Sequence, residues 1–179
     1  MKGVVMNMLA DMVETQLGIA EWNSVLTDAN VDGVYTATAL YPDEELMLLV
    51  QTISTRNNIS INDLVFAFGE FMFPQFYERY PALIDQADDL HSFLSTVHDV
   101  IHVEVKKLYP DAETPDFSHA QTDPKTLHLE YRSKRQLCQL AEGLISGAAK
   151  HFDTQYTLKH APCMHEGADH CGLEVTISD

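Results

Sequence analysis

The sequence predicts an α+β fold, a mainly helical part over 1–110 followed by an α/β part over 111–179. Three patterns predict it. Apolar residues recur at three- and four-residue steps through most of the first 109 positions, the period of helices with one buried face. A polar connection over 110–124 then interrupts the pattern with three prolines, Pro110, Pro115 and Pro124. Beyond it, short stretches alternate apolar and polar residues, as half-buried strands do, around one further helix.

Val5, Leu9, Met12, Val13 and Leu17 place a first helix over 4–17, stopped by Gly18. A short second helix over 19–27 carries Trp22 and Leu26. Residues 33–41, rich in Thr, Val and Tyr, are expected to be extended or loop. Pro42-Asp43 opens a third helix with Leu46, Leu49, Val50 and Ile53 on one face, ended by Asn57-Asn58. Ser60 or Asn62 caps a fourth, over 63–77. Phe66, Phe68, Phe71, Phe73, Phe76 and Tyr77 make that helix apolar around most of its circumference, so it is expected to be buried on more than one side. Such rings also supply the flat apolar walls that a planar ligand needs. Tyr80-Pro81 closes it.

The stretch over 92–109, SFLSTVHDVIHVEVKKLY, reads as one helix with Phe93, Leu94, Val97, Val100, Ile101, Val105 and Leu108 in register. His98 and His102 lie one turn apart on it, and His102 sits beside the apolar stripe. A neutral imidazole on a rigid, buried helix can ligate a metal or a haem iron. The ordinary alternative is a histidine at the edge of the buried face with a backbone partner. Next, 126–131 alternates as a strand. A helix follows over 133–150, opened by a capping box of Ser133 and Gln136, with Leu137, Leu140, Ala141, Leu144, Ile145 and Ala148 on its apolar face. Strands over 154–159 and 172–177 can form an antiparallel ribbon with 161–171 as the loop between them.

Composition excludes several classes. The net charge is −16 and no run of Lys or Arg is present, which argues against nucleic acid and anionic membranes as partners. A basic patch on a partner protein is compatible with it. No apolar run approaches the ~18 residues of a membrane span, and the opening MKGVVMNMLADMVETQLG does not read as a signal peptide. Three cysteines fit a disulfide framework poorly. The cytoplasm is the expected compartment.

Two constellations carry chemistry. Tyr131, Ser133 and Arg135 place a phenol, a hydroxyl and a guanidinium at a strand end and the start of a helix, a corner that suits one or two carboxylates. The same residues also read as a strand end, a cap and a surface arginine. Cys138, His160, Cys163 and Cys171 give Cys…His-x2-Cys-x7-Cys, a soft donor set that suits tetrahedral Zn2+. His165 and His170 are rival ligands, and free thiols beside an ordinary loop are the alternative. His98 and His102 at i and i+4 could also suggest a metallohydrolase, but only Asp99, Val100 and Ile101 stand between them, with no glutamate.

With Tyr131, Ser133 and Arg135 as Y-x-S-x-R, the sequence resembles the haem nitric oxide/oxygen binding (H-NOX) family, which is related to the sensor domain of soluble guanylate cyclase. The likeness runs along essentially the whole chain, through the opening MKG, the segment FLSTVHDVIHVEVKKLYP, Pro115, Phe117 and GLISGAAKHF. The family's proximal histidine lies seven residues before the Tyr-Pro pair, which selects His102. The resemblance implies a single domain over 1–179 with haem b between its two parts. His102 would be the axial ligand, Tyr131, Ser133 and Arg135 would hold the propionates, and Pro115 would press on the porphyrin. O2-binding members place a distal tyrosine where this chain has Leu140. Without that hydroxyl, bound O2 lacks a stabilising hydrogen bond, so selectivity for NO is expected, with CO also bound. The tail resembles that of a zinc-containing bacterial subset, which implies zinc at the same Cys138, His160, Cys163 and Cys171. A second, redox-sensing role for those thiolates is a further expectation. The implied function is a sensor, not an enzyme, signalling to a separate protein such as a histidine kinase or a cyclic-di-GMP enzyme. The tail is also similar to the zinc loop of V4R domains, and the alternative reading is a zinc-containing small-molecule binding domain without haem.

Overall fold

The computed structural model describes residues 1–178. Four helices come first: α1 (Gly3–Leu17), α2 (Ile19–Ala29), α3 (Asp43–Asn57) and α4 (Ile61–Arg79). Their ends follow local chemistry. Gly18 takes φ +92 and closes α1, while Asn30 and Asn58 end α2 and α3 in the left-handed conformation. Asp43, Glu44 and Glu45 fill the first turn of α3, where the helix dipole favours negative charge. Of the two cap candidates for α4, Ser60 is used: its Oγ accepts from the Asp63 N–H at 3.1 Å.

Next come α5 (Pro81–Ile84), α6 (Leu90–Thr96) and α7 (His102–Leu108). The single helix expected over 92–109 is therefore divided. Between α6 and α7 the chain makes a π-helical turn, Val97–Ile101, and His102 is the first residue after it. A capping box of Asp89 and Ser92 starts α6.

Four strands follow, β1 (Asp116–Asp123), β2 (Thr126–Arg132), β3 (Tyr156–His160) and β4 (Cys171–Ile177), with α8 (Cys138–His151) between β2 and β3. They form one antiparallel sheet in the order β1-β2-β4-β3. The mixed helical and antiparallel architecture is the one expected. β1 is an addition, because 110–124 reads as a polar connection. Only Phe117 of β1 is even partly buried, so the strand shows no alternation. The helix expected from 133 begins instead at Cys138. The box of Ser133 and Gln136 does not form: Ser133 Oγ accepts from the Arg135 N–H at 3.2 Å, and Gln136 turns to φ +50.

Two cores result. One lies among α1–α4, around Met6, Leu9, Trp22, Leu49 and Phe68. The other lies between α6, α8 and the inner face of the sheet, around Phe93, Leu127, Leu129, Ile145 and Leu173. Leu144 of α8 packs against both. α8 and α4 touch backbone to backbone. A Cβ on Gly143 would meet the Phe66 carbonyl oxygen at 2.0 Å, and one on Gly69 would meet the Leu140 carbonyl oxygen at 2.3 Å. Among the described residues, no helix is long and apolar enough to cross a membrane.

Candidate cofactor-binding and metal sites

Where the two cores meet they leave a cavity of about 320 Å³, within the ~300–1,000 Å³ of small-molecule sites. α4 and α8 wall one side with Met72, Phe73, Phe76, Leu140, Ala141, Leu144 and Ile145, and Val4 and Val5 of α1 complete it. Every residue of these three helices that lines the cavity is apolar. His102 of α7 also lines the cavity, with the Phe117 ring 5.8 Å from its own and the Pro115 backbone beside it.

His102 is half-buried, and its buried Nδ1 has no hydrogen-bond partner. Burial, and then the neighbouring His98, push its pKa down to about 4, against a smaller opposing pull from the Pro115 backbone. The ring is therefore neutral near pH 7 and keeps a lone pair for a metal. His98 is differently placed: its Nδ1 accepts the Phe117 N–H at 3.2 Å. The two histidines of one helical stretch thus separate into a backbone-bonded one and one at the cavity.

Tyr131, Ser133 and Arg135 all line the same cavity. Tyr131 is buried, and its hydroxyl oxygen accepts the Leu137 N–H at 3.1 Å, which leaves the O–H free to donate. Arg135 is held at the rim. Its Nη1 donates to the Glu113 carbonyl at 2.8 Å, and its Nε lies 2.7 Å from Asp43 Oδ2. That Nε contact is an ion pair without a directed hydrogen bond. Asp43 also takes the N-terminal amine at 2.6 Å. Burial pushes the Asp43 carboxyl up, but Arg135 and the amine outweigh it and hold it below the usual range. Asp43 and Glu113 escaped the sequence reading. Asp43 reads there only as a helix start, and Glu113 sits in a featureless connection.

The second site lies at the end of β2 and β4 where Tyr131 and Cys171 face one another, joined by the start of α8. Ligand atoms of Cys138, His160, Cys163 and Cys171 all fall within 4.8 Å of one another. The Cys163 and Cys171 sulfurs are 3.9 Å apart. Of the rival histidines, His165 bonds the Gln136 carbonyl at 2.8 Å and His170 bonds Asp169 at 2.6 Å, so neither joins the group. His160 Nδ1 lies 2.6 Å from Glu142 Oε1, while its Nε2 is buried and unpartnered. A carboxylate on one ring nitrogen and a vacant lone pair on the other is how a metal-binding imidazole is set up. Burial, Cys171 and Cys163 push the Cys138 thiol up to about 12. Three thiolates this close are tenable only around a cation.

A family model described as Haem-NO-binding matches residues 2–160. The chain belongs to this H-NOX family. Solved H-NOX structures are similar over the full length. One from S. oneidensis in the Fe(II)NO ligation state is 40% identical with a TM-score of 0.95, covering 100% of both chains. An NMR structure from the same organism in the Fe(II)CO state is 40% identical with a TM-score of 0.92, covering 100% of this chain and 99% of that one. Unliganded Fe(II) H-NOX from K. algicida is 28% identical with a TM-score of 0.92, covering 100% of this chain and 97% of that one. A search of curated proteins returned no match. H-NOX domains are haem-based gas sensors, so the haem-free V4R reading and the metallohydrolase reading give way to the family assignment. The H-NOX family match stops at residue 160, before Cys163 and Cys171.

Proposed function

We propose that this H-NOX protein is a nitric oxide sensor that holds haem b in the cavity between its two cores. The observation that carries the reading is His102, a neutral imidazole with no hydrogen bond on Nδ1, on the wall of an apolar cavity. His102 would ligate the iron, and Tyr131, Ser133 and Arg135 would hold the propionates. Pro115 and Phe117, on the His102 side, would bear on the porphyrin face. Bound haem supplies the iron that takes the gas.

The remaining steps belong to the chain. Leu140 and its apolar neighbours offer a bound diatomic no hydrogen bond, which handicaps O2 and leaves NO and CO. With haem bound, His102 would be the chain's ligand to the iron, and its release from that iron would free α7 from the cavity wall. Breaking a bond of this kind gives NO the differential energy that a two-state switch needs. The helical part then shifts against the sheet part and is read by a separate protein, a histidine kinase or a cyclic-di-GMP enzyme. The protein acts as a sensor and not as an enzyme.

Zn2+ is the proposed occupant of the Cys138, His160, Cys163 and Cys171 group. Its donors are soft and tetrahedral in number, and it would clamp a loop that has little packing of its own. A site of three reduced thiols suits the cytoplasm.

Two measurements test this. Haem-loaded protein is expected to show a Soret band that changes in His102→Ala and recovers with added imidazole. No band after loading, or an unchanged band in the variant, overturns the haem reading. Metal analysis of protein purified without chelator is expected to give about one zinc per chain. Less than about half an equivalent contradicts the zinc reading.

A further inference from the structure

The two proposed sites share one piece of chain. Tyr131, Ser133 and Arg135 reach the cavity, and three residues later Cys138 opens α8 as a member of the thiol cluster. Tyr131 is also the direct cross-strand partner of Cys171. The link between them is the turn over 133–137. It is not a regular element: Gln136 holds φ +50, a conformation a side-chain-bearing residue adopts at a cost.

Something outside the turn holds it there. His165 Nε2 lies 2.8 Å from the Gln136 carbonyl, and since a carbonyl only accepts, the imidazole N–H donates. His165 sits in the short 3-10 turn Met164–Glu166, between Cys163 and Cys171. That turn is fixed to the cluster: the Met164 N–H donates to Cys171 Sγ at 3.2 Å, and the Glu166 and Ala168 N–H groups bond the Cys163 carbonyl at 3.0 and 3.2 Å. On the cavity side, the Leu137 N–H, next to Gln136, bonds the Tyr131 hydroxyl.

We infer that His165 is a positioning residue that straps the metal loop to the propionate corner, so that zinc occupancy and haem affinity are coupled. This rests on the haem and zinc readings above. A loop clamped by zinc holds His165 on Gln136, and Gln136 holds the turn that presents Ser133, Arg135 and the Tyr131 hydroxyl. A loop without zinc frees His165, and the turn relaxes from its strained conformation. By linkage the effect is reciprocal: whatever factor zinc adds to haem binding, haem adds to zinc binding.

The test is a thermodynamic cycle on the full chain. Haem affinity is measured by partition against apomyoglobin, with zinc bound and after chelator treatment, and zinc affinity is measured against a chromophoric chelator with and without haem. Far-UV circular dichroism checks that the stripped protein is folded. Typical site-to-site coupling is about 5–150-fold, and we expect zinc removal to weaken haem binding at least about fivefold, with the same factor in the other direction. His165→Leu, with zinc still bound, is expected to reproduce most of that loss. His165→Gln, which keeps an N–H donor, is expected to restore it. If stripping unfolds the chain, the two His165 variants decide. Haem affinity unchanged in zinc-loaded His165→Leu overturns the proposal and leaves both site readings standing. Protein that takes up no zinc overturns the zinc reading and this proposal with it.

Discussion

At His102, loss of solvent and the neighbouring His98 hold the imidazole near a pKa of 4, against an ordinary 6.5. As pH falls through 6.5 the unfolded chain gains a proton that the folded chain refuses until about 4, so stability is full above 6.5 and is lost on acidification. Haem-free protein should lose about 1–2 kcal/mol from this group between pH 7 and pH 5. Urea denaturation of wild type and His102→Leu at the two pH values measures it, and an identical pH dependence contradicts it. Leu140 gives a second residue-level prediction. Leu140→Tyr places a hydroxyl on the apolar wall, and the reduced, haem-loaded variant should show an O2-dependent absorption shift that wild type lacks. Glu142→Gln should weaken zinc by about 10–100-fold, read against a competing chelator, because it loosens the orientation of His160. The sequence placed these residues unevenly. Spacing alone could not choose between His98 and His102; the family likeness did. Glu142 stands one turn beyond Cys138, but that position matters only once His160 lies across from it, which no local pattern reveals.

Among the elements, the fold was legible where burial imposes a period. α1, α3 and α4 came through because each buries one face or more. β1 did not, because seven of its eight residues point to solvent and leave nothing to alternate. The π-helical turn Val97–Ile101 was also hidden, since one extra residue in a turn barely disturbs a three- and four-residue step. The early start assigned to α8 came from a local cap pattern that the chain spends differently, on the Ser133–Arg135 turn. α8 owes its close contact with α4 to its glycines. Gly143 lies against the Phe66 carbonyl with no room for a methyl group. Gly143→Ala should force α4 and α8 apart and cost about 1–3 kcal/mol, seen as a lower thermal midpoint. A midpoint unchanged within error would show that the helices are free to separate there.

For the whole molecule, the cavity is the seam between two cores, and several features cross it. α4 against α8 is one. The Met1 amine, Asp43 and Arg135 chain is another, joining the N-terminus and the start of α3 to the rim of the cavity. A ligand that sits in the seam is therefore well placed to change how the halves meet. The strong negative charge is compatible with a partner that presents a basic face. In the proposed switch, His102 holds iron in that seam and releases it to NO. The most direct measurement is the absorption spectrum of the reduced, haem-loaded protein before and after NO. A spectrum that moves to the form of five-coordinate iron with NO as its axial ligand is the predicted result. A spectrum that stays six-coordinate under excess NO, with the histidine still bound, would contradict it.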